Sequence, residues 1–149
     1  MQRGSILLRR ITLLRHGHAT EHTDDFARTL SVAGRAAASS AGERIASAGW
    51  RPAYVLSSSA PRALITAELA AKAAGFAGRI VAEKSLYLAS HTQCLAVLRQ
   101  VPKSAASVLL VAHNPGLTQL ARELCGHDGD LSPAEFASVE LALDAWSEL

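Results

Sequence analysis

The chain is 149 residues long, 49% hydrophobic and 19% charged, with a formal net charge of +2, which fits a single globular domain over 1–149 whose core needs no disulfide or structural metal. No apolar run approaches the ~18 residues of a membrane span, and Arg9 and Arg10 interrupt the opening MQRGSILLRRITLL before a secretory apolar region can form, so a cytoplasmic protein without membrane partners is expected. Scattered Lys and Arg with only 5% aromatic residues make a poor footprint for nucleic acid, although a mild positive balance helps to draw in an anionic substrate.

Residues 1–10 read as an N-terminal extension to a first strand, ITLLRH (11–16), a β-branched and leucine-rich run of the kind buried in a parallel sheet. Ser31 is a predicted N-cap for a helix through VAGRAAASSAGERIASAG. A second strand within AYVLSS (53–58) leads into a helix with Pro61 in its first turn and Gly75 at its stop. RIVAE (79–83) is a short strand, followed by a third helix over 90–100 that starts near Ser90 and is closed by Pro102. The strand SVLLVAH (107–113) runs into NPGLTQLARELCG, where Asn114 caps a helix, Pro115 takes its first position and Gly126 ends it. GHDGDLSPAE (126–135) reads as a surface loop before a last, weakly alternating strand, FASVELAL (136–143). Strands alternating with helices imply an α/β fold of three layers, a mostly parallel sheet flanked by helices. Cys94 and Cys125 lack CxxC spacing and read as small apolar residues of helices.

The chemically dense stretch is ITLLRHGHATEHTDD (11–25). His16, His18 and His22 with Asp24 and Asp25 could ligate zinc, or Arg15 and His16 could belong to an anion site. In an open α/β sheet, ligands bind beyond the carboxyl ends of the strands. The predicted strands put Arg15, His16 and His113 there, with Arg62 in the first turn of a following helix. Guanidinium forks and helix N-termini suit a phosphoryl group and repel a divalent cation, while Glu21, Asp24 and Asp25 fall in a loop after the strand.

LLRHG (13–17), SSSAPRALITAE (57–68) and VAHNPG (111–116) resemble three ordered motifs of the histidine phosphatase superfamily. RTLSVAG (28–34) is similar to a stretch of its compact SixA-type phosphohistidine phosphatases. The resemblance runs from about residue 11 to residue 143 and implies a phosphoglycerate mutase-like fold. It further implies a metal-independent phosphatase without a cofactor, in which His16 attacks phosphorus and is transiently phosphorylated while Arg15, Arg62 and His113 bind the phosphoryl oxygens. Arg28, Gly17 and His18 are the further substrate-binding candidates, with Arg28 at the pocket mouth and His18 where relatives often carry Asp or Glu. The chemistry is sound, since a neutral imidazole is a capable nucleophile and fixed positive groups stabilise the transferring group.

Many larger members of that superfamily carry a carboxylic acid after the second motif that protonates a leaving alkoxide. EKSLYLASHTQ (83–93) offers only Glu83, which reads as part of a strand. The nitrogen of phosphohistidine leaves as neutral imidazole with little help, and the short connections leave an open pocket. The expected partner is therefore a phosphorylated protein carrying phosphohistidine, as in signal transduction, with a small phosphorylated molecule as the alternative. A zinc-dependent hydrolase and a non-catalytic phosphate-binding module are the rivals from other classes. His22, Asp24, Asp25, His91 and His127 read as solvated loop residues, Ser57, Ser58 and Ser59 as backbone-satisfying, and Trp50 and Trp146 as packing residues.

Overall fold

Each apolar run becomes a strand of one sheet in the computed structural model, which describes residues 7–149: Leu8–Arg15 (β1), Tyr54–Ser58 (β2), Val81–Glu83 (β3), Ser107–Ala112 (β4) and Phe136–Ala142 (β5). The order is β3-β2-β4-β1-β5; β1, β2, β3 and β4 run parallel, and β5 lies antiparallel on β1 at one edge. The fold is the α/β arrangement expected of a phosphoglycerate mutase-like protein.

β1 begins at Leu8 rather than at residue 11. Of the stretch read as an extension, residues 1–6 lie outside the described residues, and 8–10 are strand. The charge that interrupts the opening apolar run is internal: Arg9 is 2% exposed and donates to the carbonyls of Leu143, Lys103, Ala105 and Asp144 while lying over the Trp146 ring. A guanidinium with four of its five N–H groups bonded to carbonyls can be buried without a carboxylate partner.

The helices are Val32–Ser47 (α1), Pro61–Ala73 (α2), His91–Leu98 (α3) and Gly116–Cys125 (α4). Ser31 Oγ accepts from the Gly34 N–H at the start of α1, and Ser90 and Gln93 form a reciprocal capping box on α3. α4 starts one residue later than the dipeptide pattern suggests, with Pro115 at the cap position, and Asn114 Oδ1 accepts from both N–H and hydroxyl of Thr118. His91 is the first residue of α3 rather than a loop residue, beside Gln119 and Glu123.

Alternate residues of β4 supply two separate cores. Leu109 and Val111 pack with Leu14 and Val55 beneath the alanine-rich faces of α1 and α2, and Val108 and Leu110 pack with Ile11, Leu13 and Leu56 beneath α3, α4 and Trp146. This is the period-2 alternation of a strand buried on both faces. Small residues let α1 and α2 approach closely: a Cβ on Gly42 would sit 2.7 Å from the Cβ of Ala73. Among the described residues no helix is long and apolar enough to cross a membrane.

Candidate active site

Parallel pairing aligns three strand ends. Arg15 is opposite Ala112 in the β1–β4 register and Ser57 opposite Val111 in the β2–β4 register, so His16, Ser58 and His113 leave the sheet at the same edge. A pocket of about 250 Å³ opens there, lined by Arg15, His16, Gly17, His18, Arg28, Arg62 and His113 among others. All seven candidate residues of the sequence thus border one cavity, although they span some hundred positions of chain.

His16 Nδ1 lies 2.8 Å from the Gly17 carbonyl. A carbonyl only accepts, so Nδ1 carries the proton and Nε2 keeps its lone pair. Burial, reinforced by the positive charges of Arg62 and Arg15, pushes the imidazole down to about 4, which leaves it neutral at physiological pH. The His113 ring lies 5.1 Å from that of His16, and burial together with His16 and Arg62 pushes it down to about 3. His113 Nε2 meets Ser58 Oγ at 2.8 Å, and that hydroxyl also accepts from the Ala60 N–H. Arg15 is lowered by burial and donates from Nη1 to Leu131 O. Three side-chain nitrogens from three parts of the chain, Arg15 Nε, Arg62 Nε and His113 Nδ1, are buried without a protein partner. Unpaired donors on residues that line the same pocket as a neutral, lone-pair-bearing imidazole suit an oxyanion that can be attacked.

Gly17 holds its place for packing reasons: a Cβ there would come within 2.8 Å of Gly34 O in the first turn of α1. Its N–H is bonded to Thr66 Oγ1 at 3.0 Å, and its carbonyl holds His16. His18 stands at the exposed rim, its Nδ1 2.9 Å from Ser31 Oγ at the α1 cap. Arg28 donates from Nε to Thr20 O, which fixes it at the pocket mouth.

Three features of the site are absent from the sequence reading. Asp25 lies in a loop and stays half exposed, as read, but it is not unpartnered: its carboxylate contacts Arg62 Nη2 at 3.1 Å, Arg28 Nη1 at 3.3 Å and the Tyr87 hydroxyl, and its carbonyl accepts from Arg62 Nη1 at 2.7 Å. The Tyr87 bond first, then those from Arg62 and Arg28, hold the carboxyl down at about 2. Tyr87 in turn stands edge-on to His113 and to Phe26. The third is the segment 126–135, which is no mere surface loop: Leu131 is fully buried, its carbonyl takes Arg15 and Asn114, and Ala134 N–H bonds the β1 end. None of these residues lies in a periodic run; a lone Asp in a polar loop carries no signal of its partner until the loop is folded.

Among the described residues no three His, Cys, Asp or Glu side chains gather where they could hold a metal ion. His16 and His18 face different partners, and His22 Nδ1 accepts from the Asp24 N–H, so the row of potential ligands does not converge. A larger pocket of about 410 Å³ shares no lining residue with the pocket at the strand ends and is lined by Glu83, Tyr54, Gln100 and neighbours but by no His or Arg. Glu83, at the end of β3, faces that pocket and not the one containing His16.

Residues 11–87 match the family model described as the histidine phosphatase superfamily (branch 1). No curated protein matches. Among solved structures, the chain is similar to a protein assigned as the phosphohistidine phosphatase SixA from Nakamurella multipartitia, at 25% identity and a TM-score of 0.79 over 95% of this chain and 88% of that one. It is similar also to a protein assigned as SixA from Agrobacterium tumefaciens, at 27% identity and a TM-score of 0.78 over 91% and 98% of the two chains. A mycobacterial glucosyl-3-phosphoglycerate phosphatase shares the fold at 17% identity and a TM-score of 0.64, over 89% of this chain and 90% of that one.

Proposed function

Because the chain belongs to the histidine phosphatase superfamily, matched over more than half its length, we propose that it hydrolyses phosphohistidine on a partner protein, with His16 as the nucleophile. The observation that carries this reading is the His16 imidazole, neutral, with Nδ1–H bonded to Gly17 O and Nε2 left free among Arg15, Arg62 and His113. Nε2 attacks phosphorus, the bond from phosphorus to the substrate nitrogen breaks, and its electron pair leaves on the departing imidazole. Arg15 Nε–H and Arg62 Nε–H donate to the phosphoryl oxygens. A Ser58 hydroxyl that donates to His113 Nε2 leaves the proton of this neutral ring on Nδ1, where it becomes a third donor. Water then attacks the phosphorylated His16, releasing phosphate and restoring the free imidazole.

The choice of phosphohistidine over a phosphate ester is supported by the carboxylates. Among the described residues Asp25 alone brings a carboxylate to the pocket lining, and at about 2 it holds no proton to give an alkoxide. A protonated imidazole needs none. The similarity to SixA-assigned structures points the same way.

The test is a panel of phosphohistidine proteins and small phosphate esters offered to the wild type and to His16→Ala. The wild type should hydrolyse phosphohistidine fastest and yield an acid-labile labelled enzyme from ³²P-substrate. His16→Ala should lose turnover by at least a thousandfold with no label. Undiminished hydrolysis by the variant, or a strong preference for a sugar phosphate, would defeat the reading. A module that only binds would keep its ligand and show no turnover in either protein.

A further inference from the structure

Asp25 is an anomaly. An anion pocket built from arginines gains nothing obvious from an ionised carboxylate in its lining, yet this one is fixed by Arg62, Arg28 and Tyr87 together. Its bonds use two of the five N–H groups of Arg62, at Nη1 and Nη2, and leave the buried Nε–H without a protein partner. The Asp25 side chain remains 49% exposed, whereas Arg62 is nearly buried. A carboxylate accepts about four hydrogen bonds, and here Oδ2 meets Arg62 and Tyr87 while Oδ1 meets only Arg28. An acceptor position on Oδ1 therefore stays open at the pocket mouth.

The direction of the reaction gives that position a meaning. His113 is buried at the base of the pocket with the half-buried His16 ring 5.1 Å from it, and displacement at phosphorus is in line, so the leaving atom points away from His16 toward the mouth, where the half-exposed Asp25 stands. We propose that Asp25 is a specificity residue for the leaving group, selecting phosphoramidates whose departing nitrogen or ring is positively charged and disfavouring phosphate esters; this rests on the reading of the protein as a phosphohistidine phosphatase. When His16 Nε2 bonds to phosphorus, the P–N electron pair passes to an imidazole already protonated on its other nitrogen, which departs neutral and takes no proton from the protein. An ester must instead develop negative charge on oxygen next to the carboxylate. The same fixed charge thus attracts one substrate class and repels the transition state of the other. The ionised state of Asp25, held by Tyr87 and the two arginines, agrees with this role and excludes that of a proton donor.

Asp25→Asn keeps a carbonyl acceptor for Arg62 and removes the charge, and circular dichroism will show that the variant is folded. With 1-phosphoimidazole and phenyl phosphate as substrates, kcat/KM should fall for the first and rise for the second, lowering their ratio by about tenfold or more. A parallel fall for both would mean that Asp25 only orients Arg62 and would overturn the proposal, as would an unchanged ratio. A binding measurement separates this inference from the proposed function. Aminomethylphosphonate and ethylphosphonate differ by an ammonium in place of a methyl group, and calorimetry should find the wild type binding the cationic probe about tenfold more tightly and the variant binding both alike. Equal wild-type affinities would sink the role of Asp25 even if phosphohistidine is hydrolysed. If the wild type turned over neither substrate, the functional reading would fail while the phosphonate pair still decided on Asp25.

Discussion

At the scale of single residues, the two histidines at the strand ends have a consequence for stability as well as chemistry. Both are held neutral by burial, His16 down to about 4 and His113 to about 3, against an ordinary 6.5. Between pH 6.5 and about 4, the unfolded chain takes up protons there that the folded chain refuses. Stability therefore rises with pH across that window and is lost on acidification, by up to about 1.4 kcal/mol per pH unit for each histidine. Asp25 is also shifted downward and so acts in the same sense, but its contribution is lost only as pH falls from 3.8 toward about 2, outside the window. Urea midpoints at pH 7 and pH 5 should differ clearly for the wild type and less for His113→Gln. Equal pH dependence in the two proteins would mean that burial of His113 is not felt.

At the scale of elements, much was legible because caps and breakers act locally. Ser31, Ser90, Pro61 and Gly126 mark helix ends by satisfying or breaking backbone geometry within a few residues. Ser31→Ala removes the acceptor for the Gly34 N–H and should cost about 1 kcal/mol. It also frees His18 Nδ1, so a urea titration should show the loss of stability while substrate KM reports whether a mobile His18 matters. A stability change under a few tenths of a kcal/mol would show the cap to be redundant. What sequence could not give is long-range satisfaction. Arg9 looked like an interruption because its carbonyl partners lie near residues 103–105 and 143–144, and Asp25 looked unpartnered because Arg62 and Tyr87 are brought to it only by the fold. Motifs survived this blindness because each ends a strand, and parallel strands share an edge.

For the whole molecule, the decisive property is that the anion donors come from separate parts of the chain: Arg15 ends β1, Arg62 opens α2, and His113 follows β4, with 131–135 bracing the first of them. The strands β2, β4 and β1 are neighbours, so a ligand that bridges these donors ties the middle of the sheet together. An oxyanion that binds only the folded arrangement stabilises it by RT ln(1 + [L]/Kd), about 2.7 kcal/mol at a hundred times Kd. For a domain of this size that corresponds to a rise in Tm of roughly 5–10 °C. Vanadate, which accepts bonds as a phosphoryl group does and can add a fifth ligand, is the suitable probe. Arg62→Met should remove most of the shift, because it deletes the buried Nε–H donor and leaves Asp25 without its main cation. His16→Ala should weaken it less, since the arginines remain. A full shift in Arg62→Met would place the oxyanion elsewhere on the molecule, and the pocket at the strand ends would lose its claim to the chemistry.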